Sequence, residues 1–110
     1  MIPIRTLLAA VTLVTTGGVA AHQAERIRAA SNGARLFQQC SGCHSVDTGE
    51  KRVGPSLKGL FHKHELANGT SANERSIRRK IMNGGDGMPA YERIFSAKEV
   101  DDLIAFLKGR

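Results

Sequence analysis

An all-α fold of three to four short helices joined by long loops is what this chain predicts, and three observations carry the prediction. No segment alternates polar and apolar residues as a half-buried strand does. Helix start and stop signals flank segments whose apolar residues recur at helical spacing. Residues 45–70 are punctuated by Gly49, Gly54, Pro55, Gly59 and Gly69 with no sustained period between them, the mark of loops. At 110 residues there is room for one domain.

Residues 1–21 read as an export signal. Arg5 supplies a positive start, Leu7 to Val14 form an apolar run, and Gly18, Val19, Ala20 and Ala21 offer small residues for cleavage. The competing reading is an uncleaved membrane anchor, but the stretch from Thr6 to Ala21 carries four threonines and two glycines and falls short of the roughly 20 apolar residues a spanning helix needs. Residues 22–30 are polar and alanine-rich with no apolar face, and read as a tether. Residues 31–110 form the folded domain.

Within that domain, Ser31 or Asn32 is expected to cap a helix running to about Gln39 and presenting Leu36 and Phe37. A second helix is expected over residues 73–83, with Ile77 and Ile81 on one face and Gly84 as its stop. Gly84, Gly85, Asp86 and Gly87 then interrupt regular structure just before Met88 and Pro89. The last helix, over residues 97–108, has Ser96 as its cap, Glu99 completing a capping box, and Val100, Leu103, Ile104 and Leu107 as its buried stripe.

Between the first helix and the long loop stand Cys40, Ser41, Gly42, Cys43 and His44. Two thiols one helical turn apart, followed directly by an imidazole, are the attachment pattern of a c-type haem, with thioether bonds from Cys40 and Cys43 and a ring nitrogen of His44 for the iron. Such a group also answers a compositional shortage. Only 5% of the residues are aromatic, tryptophan is absent and glycine numbers 12, so a small core needs bulky apolar material from elsewhere. A disulfide or a thiol-exchange site are the other readings of the two cysteines, and neither uses His44.

His44 fills one axial position of the iron, and the other decides the chemistry. A thioether there favours Fe(II) and excludes small molecules, whereas an open position leaves a reactive site. The candidates are Met82, Met88, His22, His62 and His64. Met88 is favoured, because the glycines before it and Pro89 after it suit a rigid, non-helical segment laid across a flat macrocycle. Met82 reads as core packing, and His62 and His64, in a polar segment, read as solvent-facing.

The segments Cys40-Ser-Gly-Cys-His44, Gly54-Pro55-Ser56-Leu57, Gly59-Leu60-Phe61, Met88-Pro89 and Asp102-Leu-Ile-Ala-Phe-Leu-Lys108, in this order, resemble the class I c-type cytochromes of the small bacterial kind, over residues 33–108. The resemblance implies a cytochrome c fold wrapped around one covalent haem. It implies that the Pro55 carbonyl accepts a hydrogen bond from His44, and that Gly33 and Phe37 cross the last helix near Leu103 and Phe106. Lys63 stands where longer relatives have an arginine near a haem propionate, so Lys63 or Arg52 is the candidate for that contact.

The expected function is electron carriage in the periplasm, without bond chemistry of its own, between a dehydrogenase or quinol-oxidising complex and a terminal oxidase. A haem enzyme or ligand sensor with an open sixth position, and a cytochrome subunit of a dehydrogenase complex, are the alternatives. The formal charge of +6, or +5 without the leader and its Arg5, points to acidic redox partners through salt-sensitive steering. An exported chain without aromatic residues among its basic ones is not expected to bind nucleic acid. A membrane enters only if the leader is retained. The run Arg78-Arg79-Lys80 is read as a solvated face, with a rim around the haem edge as the alternative.

Overall fold

The computed structural model describes residues 17–110, so the first sixteen positions of the expected leader lie outside the described residues. Among these residues three helices carry the fold: α1 (Gly17–Leu36), α2 (Glu74–Asn83) and α3 (Ala97–Lys108), with 3-10 turns at Phe37–Gln39 and Leu60–His62. Among the described residues, extended pairing is confined to two isolated bridges, Glu65 with Ser71 and Gly85 with Met88.

The expected start of the first helix is corrected. Instead of beginning at Ser31 or Asn32, α1 is helical from Gly17, and residues 22–30 are part of it. Alanine, glutamine, glutamate and arginine in that stretch are strong helix formers, so local propensity sustains the helix where no apolar face does. Residues 17–28 are exposed along their whole length. Asn32, inside the helix, turns its side chain to another use. No helix among the described residues is long and apolar enough to cross a membrane.

α1 and α3 cross at Gly33. A Cβ on Gly33 would run into the backbone carbonyl of Asp102 and sit 2.7 Å from the Cβ of Phe106, so only glycine permits the approach. One turn on, the rings of Phe37 and Phe106 pack at 5.3 Å between centroids, tilted by 44°. At the same crossing Asp102 is 3% exposed, and a buried carboxylate needs partners. Asn32 Nδ2 donates to it at 2.5 Å and Lys98 Nζ at 2.7 Å. Burial pushes the Asp102 carboxyl up, but these hydrogen bonds and the Lys98 charge outweigh it and hold the group below its ordinary 3.8.

α2 starts at Asn73 through a capping box with Ser76, whose N–H donates to Asn73 Oδ1 at 2.9 Å. It buries Ile77 and Ile81 against the stripe of Val100, Leu103, Ile104 and Leu107 on α3. α3 begins at Ser96 with the expected capping box to Glu99. Ion pairs from Arg78 to Asp101 and from Lys108 to Glu74, both 2.6 Å, brace the exposed side of the α2–α3 seam. Each is at the surface and worth little by itself.

Two outcomes follow from the α1–α3 crossing. Gly33→Ala is expected to lower stability by about 1–3 kcal/mol, or to block folding, because the added methyl forces the helices apart; urea midpoints measure it. For Asp102 the folded group binds its proton less readily than the unfolded one, so its carboxylate stabilises the fold above the ordinary value and that contribution is lost as pH falls through the lower folded one. Urea midpoints of Asp102→Asn, taken from about pH 5 down to about pH 3, should therefore fall less steeply than the parent's. Parallel curves would remove Asp102 from the account.

Candidate functional site

A cavity of about 870 Å³ opens between the end of α1, the loop after the cysteines, α2 and the segment before α3. Cys40, Cys43, His44, Pro55 and Met88 all line it. Its apolar wall comes from Phe37, Leu60, Ile77, Ile81, Leu103 and Leu107, so α2, α3 and both 3-10 turns contribute.

The chain leaves α1 through its 3-10 turn and winds once more. The N–H groups of Cys43 and His44 donate to the Cys40 carbonyl at 3.1 and 2.9 Å, which brings both sulfurs and the imidazole to one rim. Cys40 is half-buried and Cys43 exposed. Burial, and then the neighbouring Cys43, pushes the Cys40 thiol up to about 11. A thiol raised in this way is protonated at neutral pH, the opposite of what a thiol-exchange centre requires.

His44 is buried, and its Nδ1–H donates to the Pro55 carbonyl oxygen at 2.7 Å, the partner the resemblance implied. A carbonyl only accepts, so the proton is on Nδ1 and the lone pair on Nε2. The bond is short because Gly54 lets the backbone pass under the ring. A Cβ on Gly54 would collide with His44 Cε1 and lie 2.8 Å from Nδ1. Ser45, also buried, ties the same loop with Oγ donating to the carbonyls of Glu50 (2.5 Å) and Thr48 (3.1 Å), while Leu57 N–H returns to the Ser45 carbonyl at 2.8 Å. The roles of Gly54 and Ser45 were not legible beforehand, since each consists of an absent Cβ or a backbone partner that only the folded loop supplies.

Across the cavity, Gly84, Gly85, Asp86 and Gly87 all have positive φ, between 55° and 108°. Gly85 and Met88 exchange N–H to carbonyl bonds of 2.9 and 3.0 Å around Asp86 and Gly87, a two-residue turn of the I′ pattern. Gly84 is obligatory here as well, since a Cβ would meet the Met88 carbonyl. Met88 leaves this turn half-buried on the cavity wall. Of the other candidate ligands, Met82 packs against the core, and His22, His62 and His64 are exposed; none of the four lines the cavity.

The basic residues divide. Arg52 donates to the Ser41 carbonyl at 2.9 Å and does not line the cavity, whereas Lys63 lines it and donates to the Ser56 carbonyl at 3.0 Å. Within the basic run, Arg78 pairs with Glu74 and Asp101, Arg79 is exposed, and Lys80 reaches the cavity rim. Neither sequence expectation describes the whole run.

The donor set suits a haem. An imidazole with its free nitrogen defined by a hydrogen bond, a thioether, and two sulfurs on the rim of one apolar cavity are the groups that attach a porphyrin and complete its iron. Comparisons with known proteins agree. Residues 28–107 match the family model described as cytochrome C oxidase, cbb3-type, subunit III. The chain is 32% identical over 96 residues to cytochrome c2 of Blastochloris viridis, covering 72% of this chain and 76% of that one. It is 47% identical over 87 residues to cytochrome c2 of Rhodoplanes tepidamans, covering 66% and 89%. With cytochrome c6 of Nostoc sp. it shares 28% over 80 residues, covering 72% and 68%. A helical fold around this cavity and a family match over most of the chain lead to one conclusion: the chain belongs to the class I c-type cytochromes and carries electrons on a covalent haem c.

Proposed function

We propose that this protein is a periplasmic electron shuttle whose haem is attached through Cys40 and Cys43, with His44 and Met88 as the axial ligands. The observation that carries the reading is the placement of a proline-bound imidazole and a turn-held thioether on one cavity, with the two cysteines on its rim. Bound haem supplies reversible one-electron chemistry at iron. The rest is the work of the chain.

His44, with its proton held on Nδ1 by Pro55, offers Nε2 in a fixed orientation, and the hydrogen bond raises its basicity. Met88 would supply a thioether to the iron, which would favour Fe(II) and exclude small molecules. The apolar wall excludes water, so little solvent reorganises when the charge changes. Of the two residues considered for a propionate, Lys63 lines the cavity and Arg52 does not, which favours Lys63 for that contact.

A basic chain in an exported setting fits an acidic redox partner, a dehydrogenase or quinol-oxidising complex on one side and a terminal oxidase on the other. Binding of this kind is small in area, brief and weakened by salt. The description of the matched family favours a second reading, in which the same domain is a fixed subunit of a respiratory complex. Co-purification with larger subunits separates that reading from a free shuttle.

The mass of the mature protein should equal a chain beginning near His22 plus one haem; a mass that includes residues 1–21 would make it a membrane-tethered carrier. The oxidised protein should be low-spin with a weak sulfur-to-iron band. Met88→Ala should abolish that band and admit carbon monoxide to the reduced protein. A high-spin parent that binds carbon monoxide readily would reject Met88 and favour the open-site alternative.

A further inference from the structure

The turn that presents Met88 is an improbable piece of backbone to leave unsupported. Four consecutive residues have positive φ, and Asp86, at 55°, is the non-glycine residue in that region among those described. An aspartate tolerates it better than most side chains, but still at a cost. The support comes from Lys80, in the last turn of α2.

Lys80 grips this segment at three points. Its carbonyl accepts the Gly84 N–H at 2.9 Å, and its Nζ donates both to the Gly85 carbonyl and to Asp86 Oδ2, each at 2.9 Å. Its side chain is only 26% exposed, while that of Asp86 is 76% exposed. The lysine belongs to the wall and the aspartate to the surface. Ile77 and Ile81 anchor α2 in the core on either side of this position. A continuous path therefore runs from the core through Lys80 to the turn and on to Met88.

The structure assigns Lys80 as the positioning residue for Met88: by clamping Gly85 and Asp86 it holds the thioether in place and limits how fast an outside ligand displaces it. The assignment rests on the reading of Met88 as the axial ligand, and it gives the basic run a second role beside surface charge. Neither Arg78, committed to Glu74 and Asp101, nor the exposed Arg79 makes this contact.

The test uses the oxidised holoprotein with imidazole as the entering ligand, following the sulfur-to-iron band in stopped flow. Lys80→Met should accelerate displacement about five- to tenfold, the scale of one partly shielded charge pair and a charge-assisted hydrogen bond. Asp86→Asn, which keeps a residue tolerant of positive φ and leaves the Gly85 bond intact, should give a smaller acceleration of about two- to threefold. Lys80→Arg should restore much of the parent's rate. The double variant Lys80→Met with Asp86→Asn should be no faster than Lys80→Met alone, since both changes remove one interaction.

Arg79→Met serves as the control for charge and should leave the rate unchanged. Equal acceleration by Arg79→Met, or parent-like rates in both Lys80→Met and Asp86→Asn, would overturn the assignment. Should Lys80→Met fail to fold, the surface substitution Asp86→Asn carries the test, and a parent-like rate there overturns it. A parent without the sulfur-to-iron band would sink the Met88 reading and the clamp with it. A parent that has the band, with unaltered exchange in the variants, would sink the clamp alone.

Discussion

The hydrogen bond from His44 Nδ1–H to the Pro55 carbonyl is the constraint around which the site is organised. It selects the tautomer, fixes the ring plane and closes the loop after the cysteines onto the cavity. It also sets requirements on its neighbours. Gly54 must have no side chain, because a Cβ would meet the imidazole, and Ser45 must gather the carbonyls of Thr48 and Glu50 so that the loop returns at the right height. Behind it, the crossing of α1 and α3 at Gly33 supplies the floor, with Phe37 serving both the crossing and the cavity wall.

The two sides of the cavity are held by different physics. On the histidine side the restraint is a short hydrogen bond and the close passage of backbone beneath a ring, both made to a buried imidazole. On the methionine side it is a turn of positive-φ residues with its bonds near solvent, fastened to α2 by Lys80. The first arrangement yields only to larger rearrangement of the loop. The second can be loosened by removing one charged head group, so exchange at the iron is expected to begin there.

Much of this was legible in the chain, for identifiable reasons. The cysteine and histidine spacing encodes its chemistry within five residues, and the capping box at Ser96 and the glycine stop at Gly84 act over a single turn. Met88 is set apart from Met82 because it follows glycines, whereas Met82 falls near the end of a helix beside Ile81, and the structure puts the first on the cavity and the second against the core. What escaped depends on partners distant in sequence or on propensity without a pattern. The helix over residues 17–30 has no apolar periodicity to reveal it. Asn32 resembles a cap and instead partners Asp102, seventy residues on. Arg78, Arg79 and Lys80 are adjacent in sequence, yet the helix turns them toward α3, solvent and the cavity rim.

The central claim is that one iron sits between His44 and Met88 inside this cavity. Proton NMR of the reduced holoprotein tests it most directly, because a methyl group lying over a porphyrin is shifted far upfield by the ring current. The account predicts that the Met88 methyl is the methionine signal so shifted, with a His44 Nδ1–H resonance protected from exchange by its bond to Pro55. An upfield methyl assigned to Met82, or no shifted methionine at all, would contradict it.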